Sequence, residues 1–203
     1  MGEEQARLQI LGGAVEQFSE HGVREVSVED ILRASAISRR TFYRLYKSKE
    51  KVVEALYRLG TDRLLEQCRA AVAAHADPIA QIEGCIDAHL RNARELGRLV
   101  WVLGGEAQRQ ESAIHAARME VHEQLVELMM SSATARERRL DPWLVRGLML
   151  ALESVTRFAL EEGDEGRDVS DACIQRARRV MMRIATSALA AQGEGVAALP
   201  TTA

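Results

Sequence analysis

Aromatic side chains make up only 4% of the 203 residues, and there are three prolines. No alternating run of Val, Ile and Thr is bounded by turn residues, as the strands of a sheet protein would be. That lack excludes an all-β fold. Cysteine is scarce as well. Cys68, Cys85 and Cys173 are odd in number and have no CxxC or Cys/His spacing, so neither a disulfide framework nor a zinc site is indicated. They read as small buried hydrophobes in a reducing cytosol. No apolar stretch approaches the roughly 18 residues of a membrane span, and the opening MGEEQARLQI lacks the basic-then-apolar order of a signal peptide. A soluble, cytoplasmic protein with no membrane partner is expected. P-loop, GxGxxG and GxSxG signatures are missing, as are the paired Glu-x-x-His motifs of a metal-holding bundle. The sequence therefore gives no reason to expect an enzyme or a cofactor.

What remains is rich in helix formers. Hydrophobic residues reach 47% and charged ones 28%, with Ala, Leu, Arg and Glu abundant. Unbranched side chains lose little rotamer freedom in a helix, so the expected class is all-α. A net charge of −3 argues against a nucleic-acid partner until its distribution is read. Residues 36–58 carry seven basic side chains (Arg39, Arg40, Arg44, Lys47, Lys49, Lys51 and Arg58) against Glu50 and Glu54, a local balance of +5. A local cluster of that kind governs phosphate binding more than the total charge does.

Along the chain, Leu8, Leu11, Val15 and Phe18 recur at spacings of three and four and predict a helix from about Glu4 to Glu20, stopped at His21-Gly22. Ser27-Val28-Glu29-Asp30 has the form of a capping box and opens a short helix ending near Ala34. After Ser35-Ala36-Ile37, Ser38 can cap a third helix, Arg39 to Tyr46. Ser48 can cap a long fourth one. Farther on, Asp77-Pro78 and Asp141-Pro142 each read as an N-cap followed by Pro at the first helical position. Gly104-Gly105 is expected to interrupt the chain. Further helices are expected at about Ser112–Met130, Pro142–Glu162 and Ser170–Ala191, with a charged loop over Gly163–Asp168. The tail from 193 to 203 is small-residue and Gly-rich and is expected to be disordered.

Two short helices separated by about three residues, the second rich in Arg and aromatics, fit a helix-turn-helix. Such a turn needs a small residue so that the helices cross closely, here Ala36, and an apolar plug after it, here Ile37. The second helix then lies in the major groove, where Arg pairs with guanine and a Thr methyl meets a thymine methyl. The candidate DNA-contacting set is Ser27, Ser38, Arg39, Arg40, Thr41, Tyr43, Arg44 and Lys49. Within it, Tyr43 reaches a phosphate through its hydroxyl, and Lys49 does so from the first turn of the fourth helix. Phe42 and Tyr46 are assigned to the core. Lys51 and Arg58 can equally be solubilising charge.

Taken together, Phe18, Gly22, Ser27-Val28-Glu29-Asp30-Ile31, Ala36-Ile37-Ser38, Thr41-Phe42-Tyr43 and Tyr46-x-Ser48-Lys49-Glu50 resemble the TetR family of regulators over about the first 60 residues. The resemblance implies a three-helix DNA-binding head (residues 1–48, with the start of the next helix to about 60) and a helical ligand-binding and dimerisation body (49–192). It further implies a homodimer on a palindromic double-stranded operator, a repressor released by a small molecule, and a four-helix dimer interface built from the last two long helices. Arg40, Leu45 and Lys47 depart from the residues frequent in that family, where a small residue, a His and a Pro are common; the first of these alters which bases are read.

In the body, Trp101, Met119, His122, Leu125, Met149, Glu153 and Phe158 are candidates to line a ligand pocket, the plain alternative being ordinary core. Few aromatics and little concentrated charge point to an apolar or mixed effector. His115 and His122 share a helix face with Glu111, but seven-residue spacing is not that of a metal pair. His89 reads as a satisfied histidine. Gly147-x-x-x-Ala151 allows close helix contact, at a dimer interface or within the monomer. A bundle enzyme and a sequence-neutral DNA-binding protein are the competing functions. The second of these tends to be basic overall, unlike this chain.

Overall fold

The computed structural model describes residues 2–134 and 140–193; the expected disorder of the tail falls on residues outside that range, apart from Gly193. The described residues form eight helices and no strand: α1 (Glu3–Glu25), α2 (Val28–Ser35), α3 (Arg39–Leu45), α4 (Lys49–Ala74), α5 (Pro78–Ala107), α6 (His115–Thr134), α7 (Pro142–Glu162) and α8 (Asp171–Gly193). No helix among them is long and apolar enough to cross a membrane.

Local signals account for five of the eight helix starts, Ser170 before α8 included, where its hydroxyl accepts the Cys173 amide. Ser27, Ser38, Asp77 and Asp141 each accept a hydrogen bond from an amide of the first turn they precede. Ser48 differs from expectation: its side chain accepts no such bond. Gly22 takes the positive φ (81°) foreseen for a helix stop. The helix nevertheless resumes through Glu25, because its last carbonyls find another partner, described below. The break expected at Gly104-Gly105 is absent. Instead α5 bends at Gly97 (φ 11°, ψ −87°), while Gly104 and Gly105 stay helical. Its cause is tertiary. The backbone of Gly97 meets that of Gly166 in the α7–α8 turn, where Gly166 has φ 88°, and a Cβ on Gly97 would collide with the Gly166 carbonyl oxygen.

Two apolar cores result. The first gathers Ile10, Phe18, Ile31, Ile37, Phe42 and Val52 from α1–α4, and it also takes in Leu99, Leu103, Ala107 and Ile114 from α5 and the chain after it. The head is therefore seated on the body by shared core. The second core joins Ile86 and Leu90 of α5 to Leu148 and Ala159 of α7 and to Ile174, Ala177 and Met181 of α8. Cys68 is buried, and Cys85 and Cys173 are half-buried; all three are free thiols.

Candidate nucleic-acid interface and body cavity

The head is built outward from fixed turns. At the start of α2 the Ser27 hydroxyl donates to Asp30 Oδ2 (2.6 Å), the Ser27 amide donates to the same oxygen (2.9 Å), and the Asp30 amide donates to Ser27 Oγ (3.3 Å). These bonds from Ser27, with Arg33 nearby, hold the Asp30 carboxyl below its usual range. The hydroxyl of Ser27, exposed as it is, is thus already engaged in the cap. Helix α2 ends on Ala36 in the left-handed region (φ 53°, ψ 31°), and Ile37 plugs the core beneath it. Ser38 Oγ accepts the Thr41 amide (3.2 Å) and lies 2.9 Å from Thr41 Oγ1. Phe42 and Tyr46 are buried, and Tyr43 stands half out, its ring edge-on to Phe42 at 5.3 Å.

With the inner face so anchored, α3 turns its cations outward, and they fall into two groups. Arg39 is bound to Glu29 of the preceding helix. Arg40 and Arg44, one turn apart on the same face, are exposed and form no ion pair among the described residues; nor does exposed Lys47 beyond them. Two guanidiniums left unpaired at a spacing of four present a double fork to whatever lies against α3. Lys49, expected to meet a phosphate, is placed otherwise. Its ammonium donates to the carbonyls of Val23 (2.8 Å), Val26 (2.8 Å) and Arg24 (3.4 Å). Those are the open carbonyls where α1 ends, and a cation there is favoured by both hydrogen bonding and the helix dipole.

A cavity of about 250 Å3 lies between α4, α5, α6 and α7, with the end of α8 closing one side. Of the residues expected around it, Trp101, His122, Leu125, Met149 and Glu153 line it. Met119 and Phe158 do not. Met119 lies on the outer side of α6, whose inward residues are Ala117, His122 and Val126; Phe158, 63% exposed, projects from the outer side of α7. The polar part of the wall is organised around Glu153, which accepts from His122 Nε2 at 2.7 Å and from the Arg118 guanidinium. Burial alone would raise the Glu153 pKa, but these donors outweigh it and hold it at about 2. His89 lies 2.8 Å from Thr156 Oγ1, and burial pushes its pKa down, keeping it neutral. His115 and His122 do not converge, since His115 Nδ1 faces the Ala107 carbonyl at 3.1 Å.

Comparison with known proteins bears on both regions. The family model for "Bacterial regulatory proteins, tetR family" matches residues 10–56, the span of α1 to mid-α4 just described. Over those residues the chain matches the TetR family. The HTH-type transcriptional repressor KstR2 of Mycobacterium tuberculosis is similar at 30% identity over 103 residues, 51% of this chain and 52% of that protein. The putative mycofactocin biosynthesis transcriptional regulator MftR of the same organism is 51% identical over 39 residues, 19% of this chain and 20% of its own. The alignment thus spans about half, or less, of these curated relatives. Among solved structures, the fatty acid degradation regulator FadR from Bacillus halodurans has a TM-score of 0.71 at 18% identity, covering 87% of this chain and 94% of that one. A tetR-family regulator from Streptomyces coelicolor has a TM-score of 0.70 at 21% identity, covering 95% and 84%. These likenesses extend the TetR fold over the body.

Two structural features carried no sequence signal. One is Arg98, whose guanidinium donates to the Ser19 carbonyl of α1 (2.9 Å) and pairs with Glu165 of the α7–α8 turn. It links head to body at the bend of α5. The other is Arg157, which lies over the Trp101 ring at 4.0 Å in the cavity wall. Each depends on segments far apart in sequence meeting in space.

Proposed function

We propose that the chain is a sequence-specific transcription regulator that binds a palindromic operator as a homodimer and represses until a small molecule occupies the body cavity. The observation that carries this reading is the unpaired Arg40–Arg44 face on a short helix whose other side is fixed by Phe42 and Tyr46. Arg is the residue best suited to bidentate contact with guanine in the major groove. Two such helices in a dimer meet successive grooves only when their separation is near one helical turn of DNA, about 34 Å. A ligand that prefers a body conformation with a different separation therefore lowers operator affinity by shifting population. Two elements can transmit the change. Helix α4 runs from the head to the cavity wall, and Arg98 ties α1 to the α7–α8 turn. KstR2, a repressor by name, supports repression as the direction of control.

The experiment is a titration of the full chain, at fixed salt, onto the DNA flanking its own gene and onto a scrambled control. The reading expects a preference of at least about a thousandfold for one palindromic segment and its loss in the Arg40→Ala/Arg44→Ala variant. Equal binding of every sequence, including those from a random-pool selection, would overturn it.

A further inference from the structure

We propose that Arg157 anchors the anionic head of an otherwise apolar effector, so that the cavity selects amphipathic organic anions over neutral or cationic molecules of the same shape. The inference rests on the reading of this cavity as the effector site and assigns the chemical class of the ligand.

The argument begins with the charges on the wall. Helices α4 to α7 each contribute polar groups: Tyr57 and Thr61 from α4, His89 and Asn92 from α5 with Gln108 just after it, Arg118 and His122 from α6, and Glu153, Thr156 and Arg157 from α7. Glu153 neutralises Arg118 and engages His122, and neutral His89 faces Thr156. Arg157 alone among the charged groups of the wall makes no ion pair with any described residue. Most of the remaining lining is apolar, including Leu64, Ile82, Leu125, Met129, Leu148 and Leu152. A neutral apolar occupant would strip water from the unpaired guanidinium and give nothing back, which is costly. A cation would add repulsion. An anion converts the same group into a charge-assisted pair, bidentate when the head is a carboxylate or a phosphate.

The guanidinium is also held ready. It lies on the face of Trp101, a favourable position for a cation. Beneath it Gly105 has no side chain, and a Cβ there would press to 3.2 Å from Arg157 Nη1. Trp101 and Gly105 thus form a flat seat that spares part of the ordering cost on binding. Its location matters for the signal. Leu99, Leu103 and Ala107, on the same stretch of α5, belong to the core shared with the head. Ala107 also lines the cavity, so a head group bound at Arg157 shares that wall with the joint between body and DNA-binding head.

The test is calorimetric titration of the full chain with three probes of one tail length, each below its micellar concentration: decanoate, decyl phosphate and decan-1-ol. Both anions are expected to bind at least about tenfold more tightly than the alcohol, the scale of a hydrogen bond to a charged group. Arg157→Gln should bring them to the alcohol's level while leaving the alcohol's own affinity within about threefold, and Arg157→Lys should restore part of the preference. Thermal denaturation of each variant confirms that it is folded. Whichever anion leads, both ahead of the alcohol supports the assignment and identifies the head as carboxylate-like or phosphate-like. An alcohol that binds as well as the anions, or a preference that survives Arg157→Gln, overturns the proposal while leaving the cavity as a ligand site. If none of the three binds, the reading of the cavity falls with it.

Discussion

A lysine whose ammonium touches three carbonyls has no donor left for a phosphate. Lys49 and Lys47 are two residues apart, yet the structure separates their work: the first closes the end of α1, the second points to solvent. Lys49→Met is therefore expected to lower the stability of the fold by about 2 kcal/mol, the worth of lost charged hydrogen bonds. The same change should leave the salt dependence of DNA binding in place. Lys47→Met should do the opposite, reducing the slope of log affinity against log salt by about one while stability holds. Chemical denaturation and binding at three salt concentrations read both. Glu153 gives the pH counterpart. Its carboxyl is held at about 2, below the ordinary 4.5, so its stabilisation is fully present above pH 4.5 and is lost as pH falls toward 2. Glu153→Gln should cost about 3 kcal/mol at pH 7, and that gap should narrow steadily in denaturation curves taken between pH 5 and pH 3. A gap independent of pH would show that the carboxylate charge is not what the Arg118–His122 arrangement stabilises.

Elements that begin with a local signal were legible from the sequence. Ser27-x-x-Asp30, Ser38, Asp77-Pro78 and Asp141-Pro142 each specify their own first turn, and the helices start there. The bend in α5 was not legible, because glycine marks a place where a helix can yield, and the partner decides whether it does. Gly104 stands free of close neighbours and stays helical, whereas Gly97 lies against the backbone of Gly166, 69 positions away, and bends. The same reasoning explains the cavity. Five of seven expected wall residues are found there, but Phe158 and Met119 lie on outer faces, since hydrophobicity alone does not say which side of a helix is covered from within. Gly97→Ala consequently has a definite outcome. The added methyl must push the α7–α8 turn off α5 and loosen the Arg98–Glu165 contact beside it, and a loss of about 2–4 kcal/mol is expected by thermal or chemical denaturation. Gly104→Ala, with nothing within 4 Å of its Cβ, should be neutral or stabilising, since Ala favours a helix over Gly.

For the whole molecule, the exposed outer face of α7 poses the question. Trp143 is 82% exposed, Leu150 50% and Phe158 63%. Separated by seven and eight residues, they fall along one side of the helix, with exposed Gly147 between the first two. Val180 of α8 adds to the apolar surface outside the second core. Scattered exposed hydrophobes need no explanation, but large ones aligned along one side of a helix are the pattern of an interaction surface. A second copy of the same chain is the occupant that the proposed function requires, because one head contacts only half of a palindrome. The aromatic expected inside the pocket would then serve between subunits. Phe158→Glu places a charge at that stripe without touching either core, so the variant should fold with a melting temperature close to that of a parent monomer yet sediment as a monomer. Its operator affinity should fall by about a hundredfold or more, because the second head no longer binds as part of one molecule, while Arg40 and Arg44 remain intact. A variant that stays dimeric and binds normally would move the subunit interface elsewhere on the body and leave the α7 stripe to another partner. Monomeric protein with full affinity for the proposed operator would show that pairing of heads is not what holds the protein to DNA.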